Sequence, residues 1–234
     1  PLSVRVTVHK ENVDYLEESV EFLLEDVGLQ GLTTTSADYL GLCRRNTNRV
    51  RLTREEQCTA MATLTKLERK YGNRISATAG PLAEARLWGE MEDALRVCAP
   101  ALPGGGHLTG CGGAFTKLAV RADGTFIPCA QLPGMTLGRM NRDGLREVWQ
   151  HHPELRRFRD RALIPLHRFS FCTDCRYINY CRGGCPAISD TMVGDPYHPS
   201  PGSCYRRFIE EGTLPPEGLQ SSAQLNRVSA GMAE

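Results

Sequence analysis

Ten cysteines stand in this chain of 234 residues, and seven of them fall between Cys111 and Cys204. Cys111 is followed by twelve residues, then Gly124, four residues and Cys129. Cys172, Cys175, Cys181 and Cys185 form C-x2-C-x5-C-x3-C, and Cys204 follows after eighteen intervening residues. Thiolates two or three residues apart can converge on one inorganic centre, whereas a disulfide between such close neighbours closes a strained ring. Tetrahedral zinc asks for one set of four, so seven cysteines in this pattern fit two centres better than one. Iron-sulfur is therefore favoured over zinc and over disulfides. Cys43, Cys58 and Cys98 lie outside the cluster.

The elements that must position these thiols begin with a run of βα units. Val4 to Val8 reads as a strand; Val13, Leu16, Val20, Leu23, Leu24 and Val27 then recur at helical spacing and stop at Gly28. Leu29 to Thr35 is a second expected strand, and Thr53 with Glu56 has the form of a capping box opening a helix through Tyr71. Ile75 to Thr78 is a third strand, followed by a helix with Pro81 at its first position. Three such units imply an α/β fold with a parallel sheet and function at the carboxyl ends of the strands. Pro103-Gly104-Gly105-Gly106 marks a boundary near residue 105. Beyond it, Asp123-Gly124 predicts a hairpin, two short helices follow over 145–150 and 153–162, and the stretch from Cys172 to Cys204 is loops and short helices. Residues from Thr213 onward read as an extended or disordered tail.

Composition narrows the function classes. Lys and Arg (28) nearly cancel Asp and Glu (27), which leaves no bulk attraction to nucleic acid or to an anionic membrane, and neither is expected as a partner. No run approaches the roughly 20 apolar residues of a membrane span. The chain opens on an apolar strand pattern without a signal peptide, which reads as the middle of a domain and makes a reducing, cytoplasmic compartment the expectation.

The cysteine pattern resembles the seven-cysteine signature of the SPASM domain of radical SAM enzymes, C-x(9 to 15)-G-x4-C, a gap, C-x2-C-x5-C-x3-C, a gap, and C. Cys111, Gly124, Cys129, Cys172, Cys175, Cys181, Cys185 and Cys204 match it. Ala119 to Gly124, Leu137-Gly138-Arg139-Met140 and Cys181-Arg182-Gly183-Gly184-Cys185-Pro186 are also similar to that family. The resemblance implies residues 1–105 as the C-terminal half of a partial (β/α)6 TIM-like barrel, 106–212 as a small α+β auxiliary-cluster domain, and 213–234 as a tail. It further implies two auxiliary 4Fe-4S clusters: Cys172, Cys175, Cys181 and Cys204 would hold one, and Cys111, Cys129 and Cys185 the other, nearer the barrel. The second would have an open or non-cysteine fourth position, with Cys98 or His107 as candidates if it is filled.

The C-x3-C-x2-C loop that binds the SAM-cleaving cluster in that family has no counterpart in these residues. The resemblance thus implies a segment of a longer peptide- or protein-modifying enzyme. When complete, that enzyme would use S-adenosylmethionine and a third 4Fe-4S cluster, a precursor peptide or protein substrate, and a flavodoxin- or ferredoxin-type electron donor. The alternative is a non-enzymatic iron-sulfur electron-transfer or scaffold module.

Other residues have plainer expectations. Cys58, with Met61 and Leu64, reads as a buried inert thiol, and Cys43 as an ordinary loop cysteine on the side where a barrel site opens. Thr7, His9, Thr33, Thr35 and Ser36 sit at or beyond strand ends and read as ordinary strand and turn residues, with SAM or substrate contact as the alternative. Asn12 suits a helix N-cap. Seven arginines between Arg139 and Arg161, interspersed with Asp143, Glu147, Glu154 and Asp160, read as a solvated, salt-bridged surface, with docking of an acidic peptide or electron donor as the alternative. His151-His152 has no partner spacing for a metal, and Gly104-Gly105-Gly106 lacks the context of a phosphate loop.

Overall fold

The computed structural model describes residues 2–109 and 111–210; the expected tail lies outside the described residues. The chain divides into two compact units, one of residues 2–99 with the helix Tyr205–Glu210, the other Pro100–Cys204. The parting therefore falls at Ala99 and Cys204, where the sequence places it at 105 and 212. The reason at the second point is packing: Tyr205 and Phe208 lie against Trp88 of the first unit, ring centroids 4.9 and 4.6 Å away, and the Tyr205 hydroxyl donates to Glu92 at 2.8 Å.

In the first unit β1 (Val4–Val8), β2 (Leu32–Ser36) and β3 (Ile75–Ala77) form a parallel sheet in that order, with Val4 opposite Leu32 and Leu32 opposite Ile75. Between β1 and β2 a 3-10 turn (Val13–Tyr15) runs into α1 (Leu16–Glu21) and then a π turn (Phe22–Asp26), ending at Gly28 with φ +73°. Val13, Leu16, Val20 and Leu24 are buried as their spacing predicts, but Val27 is 50% exposed. The wider π turn adds a residue to the repeat and rotates the last apolar position off the core face.

After the short α2 (Thr47–Val50), α3 (Arg54–Tyr71) opens with the expected capping box. The Glu56 N–H donates to Thr53 Oγ1 at 3.2 Å and the Thr53 N–H to Glu56 Oε2 at 2.7 Å. Following β3, α4 (Pro81–Arg96) starts with Pro81 in its first turn. Val8, Leu16, Val20, Leu32, Leu64, Leu67, Ile75 and Leu82 meet in one apolar core. Asn12 stands at the N-cap position of the 3-10 turn but makes no side-chain cap bond: its Oδ1 accepts from the His9 N–H at 2.8 Å and its Nδ2 donates to the Thr7 carbonyl at 3.1 Å, pinning the turn out of β1.

The second unit holds a small antiparallel sheet, β4 (Ala119–Val120), β5 (Thr125–Ile127) and β6 (Gly138–Arg139), in that order. The hairpin turn is the expected one, with Gly124 at φ +83° and Asp123 Oδ1 accepting from the Thr125 N–H at 3.0 Å. β6 is too short to carry an alternating pattern and was not legible in the sequence. α5 (Gly112–Phe115) precedes the sheet, and α6 (Leu145–His151), α7 (Pro153–Asp160), α8 (Ser170–Thr173) and α9 (Pro186–Val193) follow it. Phe126, Leu137, Val148 and Leu155 form a core of modest size. The architecture is thus mixed α/β, a parallel βα portion followed by a small α+β portion. Among the described residues no helix is long and apolar enough to cross a membrane.

Candidate metal centre

All ten cysteines are thiols rather than disulfides. Seven lie in the second unit, and their surroundings divide them. Cys111 sits immediately before α5; a Cβ on Gly113, two residues on, would come within 2.8 Å of the Pro128 carbonyl and 3.4 Å of Cys129 Cβ, so the two segments lie back to back. Cys129 follows β5 and its sulfur accepts from the Gln131 N–H at 3.5 Å. Cys185, an exposed residue, occupies the N-cap of α9, where the N–H groups of Ile188 and Ala187 favour its thiolate; desolvation of its sulfur nonetheless pushes the thiol up, and the charges of Cys111 and Cys129 push it in the same direction. These three thiols therefore share one field.

The other set gathers around Cys181. Burial pushes this thiol up to about 11, and the nearby Cys204 and Cys175 act in the same sense. Its sulfur accepts from the Gly183 N–H at 3.3 Å. Cys172, in α8, lies one turn before Cys175, whose N–H donates to the Cys172 carbonyl at 3.2 Å. Cys181 and Cys185 belong to different sets although only three residues separate them. Gly183 and Gly184 make that possible, both with positive φ (+69° and +72°) and both so closely packed that a Cβ would strike Leu108 at 2.5 Å, or Ser200 and Ser203 at 2.8 Å.

A desolvated thiol with other thiols around it ionises with difficulty unless a cation compensates. Among the described residues no three His, Cys, Asp or Glu side chains close round a point in the manner of ligands to a single ion. An iron-sulfur cluster takes its ligands from cysteine thiolates, and backbone N–H donation to sulfur is among the interactions that set its potential. The all-cysteine donor set and its N–H donors suit that chemistry.

His107 is exposed, its Nδ1 lying 3.4 Å from the Gly105 carbonyl, and Cys98 is an exposed residue of the first unit at φ +51°. Cys43 is half-buried in a 3-10 turn (Gly41–Arg45), and Cys58 is half-buried rather than fully so, with burial pushing its thiol up. His151 lies 4.0 Å from Glu147 within α6 and near Arg156, a surface arrangement.

Two features escape sequence reasoning. Six of the seven arginines between residues 139 and 161 keep contact with solvent, but Arg161 is 1% exposed. It follows α7 with the same polar neighbours as the others, so no sequence signal separates it. In the first unit, Gln57 Nε2 donates to Glu84 Oε2 at 2.7 Å, and burial raises Glu84 to about 7 and Asp38 in the same direction. A glutamate in the first turns of a helix reads in sequence as an ordinary dipole-complementing residue.

Residues 111–176 match SPASM, an iron-sulfur cluster-binding domain. The PqqA peptide cyclase of Ruegeria pomeroyi is 25% identical over 205 residues, which cover 84% of this chain and 47% of that protein. Among solved structures, native anSMEcpe with bound AdoMet aligns over 99% of this chain and 57% of its own, with a TM-score of 0.55 and 15% identity. The same protein with bound AdoMet and Cp18Cys peptide aligns over 98% and 58%, with a TM-score of 0.56 and 15% identity. The chain spans about half the length of the relatives it matches. By sequence and by fold, then, the chain is similar to radical SAM enzymes that modify peptides, and it carries at residues 111–176 a match to their SPASM iron-sulfur domain.

Proposed function

We propose that this chain is the auxiliary-cluster half of a radical SAM enzyme that modifies a peptide or protein side chain. Cys111, Cys129 and Cys185 hold one 4Fe-4S cluster, and Cys172, Cys175, Cys181 and Cys204 hold a second. The observation that carries the reading is the placement of the cysteine segments: Gly113, two residues after Cys111, packs against Pro128 and Cys129, and the left-handed Gly183 and Gly184 turn the chain between Cys181 and Cys185. When bound, the clusters supply one-electron chemistry or an anchoring site for substrate. The protein supplies the thiolates, the N–H donors of Gln131, Gly183, Ala187 and Ile188 that stabilise charge on sulfur, and the left-handed glycines that turn neighbouring cysteines toward separate centres.

A peptide substrate is supported by the named substrate of the cyclase and by the peptide bound to anSMEcpe, and S-adenosylmethionine by the AdoMet bound there. The exposed arginines of the 139–159 stretch suit an acidic flavodoxin- or ferredoxin-type donor, and ten thiols without a disulfide suit the cytoplasm.

Reconstitution with iron and sulfide tests the cluster assignment. The chain is expected to hold about eight irons, and alanine at any one of Cys111, Cys129 and Cys185, or at any one of the other four, is expected to remove about half. Stoichiometric zinc, or about four irons in the unsubstituted chain, would overturn the two-cluster assignment. In the full-length protein, 5′-deoxyadenosine formed from S-adenosylmethionine under reduction is expected; its absence would favour the electron-transfer module instead.

A further inference from the structure

Arg161 is the one charged side chain that is buried among the described residues. Its Nη1 donates to the Thr109 carbonyl at 2.6 Å and its Nε to the Pro196 carbonyl at 2.7 Å, and Nη2 makes two looser contacts, to the carbonyls of Gly184 and His198, both at 3.5 Å. All four partners are backbone; no carboxylate within the described residues forms an ion pair with it. Thr109 lies two residues before Cys111, and Gly184 immediately precedes Cys185. One guanidinium thus ties together the two segments that bring these thiols from opposite ends of the unit.

A buried cation held only by carbonyl dipoles is costly unless a negative charge lies near. Here the strongest compensating charges are those of Cys111 and Cys185, ahead of Asp195. A cluster bound by thiolates carries net negative charge, and its reduction adds another, so a fixed cation beside it favours the reduced form.

We propose that Arg161 is the positioning and charge-compensating residue of the centre formed by Cys111, Cys129 and Cys185: it sets the backbone that presents two of the three ligands and raises that cluster's reduction potential relative to a neutral side chain. The inference rests on the cluster assignment above and goes beyond it by giving the two centres different electrostatic settings.

The test compares Arg161→Met and Arg161→Gln, which remove the charge, with Arg161→Lys, which keeps it without the planar fork. Each is reconstituted, its iron counted, and both clusters titrated with signals assigned from variants lacking the other cluster. At a fixed potential near the midpoint, the neutral variants are expected to show a fall of about tenfold in the reduced-to-oxidised ratio of the Cys111 cluster, or about 59 mV. The Cys172 cluster stays in place, and Arg161→Lys remains within about threefold of the unsubstituted protein.

Full iron content with no shift, an equal shift of both clusters, or a shift in Arg161→Lys as large as in the neutral variants would overturn the proposal. If the neutral variants fail to assemble, assembly of Arg161→Lys supports the charge, and its failure leaves only a structural brace and sinks the proposal. A count of about four irons in the unsubstituted chain identifies failure of the cluster assignment itself, and the inference falls with it.

Discussion

The two units of this chain solve the same problem with different materials. The first buries a continuous apolar set, from Val8 through Leu82, between a parallel sheet and the helices that connect its strands. The second has a core centred on Phe126, Leu137, Val148 and Leu155, strands of two or three residues, and long connections closed by backbone hydrogen bonds such as Gly106 N–H to the Cys181 carbonyl at 3.0 Å and Thr109 N–H to the Arg182 carbonyl at 2.8 Å. Further buried apolar side chains, Leu108, Phe158, Leu166, Tyr177 and Ile188, are spread along those connections rather than along strands. Burial acts on acids of both units in the same sense: Glu84 is pushed toward its protonated form beside the Gln57 amide, and the Cys181 thiol is pushed up to about 11.

The largest expected effect follows from removing iron. Chelation from the reconstituted protein should abolish hydrogen-exchange protection through residues 102–109 and 164–185, where the backbone bonds converge on the thiols, while α3 and α4 keep theirs. Retained protection in both units without iron would show the second unit to be as self-sufficient as the first. Next comes Leu64→Ala, at a position with no exposed surface, which should cost the first unit about 2–5 kcal/mol in denaturant unfolding and leave iron content unchanged. A cost below about 1 kcal/mol would mean that the apolar core does not carry that unit.

The smallest effect concerns pH. Glu84 has its folded value raised from 4.5 to about 7, so its protonated form is the one the fold prefers. Its contribution is fully present below about pH 4.5 and is lost as pH rises through 7. Because the side chain keeps some solvent contact, the loss is taken as about 2 kcal/mol rather than the full linkage value. Glu84→Gln retains the uncharged shape and should flatten the stability profile of the first unit between pH 4.5 and 8; an unchanged slope would assign the dependence elsewhere.

Particular residues show what could be read before the fold was known. The capping box of Thr53 and Glu56, the helix-starting Pro81 and the Asp123-Gly124 turn are local devices, and each appears where its residues lie, because a backbone bond three or four positions away needs no tertiary partner. Spacing alone also singled out seven cysteines from ten. Other features depended on neighbours remote in sequence. β6 exists only because β5 pairs with it, and Val27 left the core because a π turn intervened.

The sequence by itself determined the cysteines, their spacing and the α/β alternation, since these are properties of residue identity and short-range periodicity. Only the tertiary structure decided which arginine of seven is buried, that Glu84 lies beside Gln57 with its proton favoured, and that Cys181 and Cys185 turn to different neighbours. Burial and electrostatic neighbourhood are sums over segments far apart in the chain, and no local pattern encodes them.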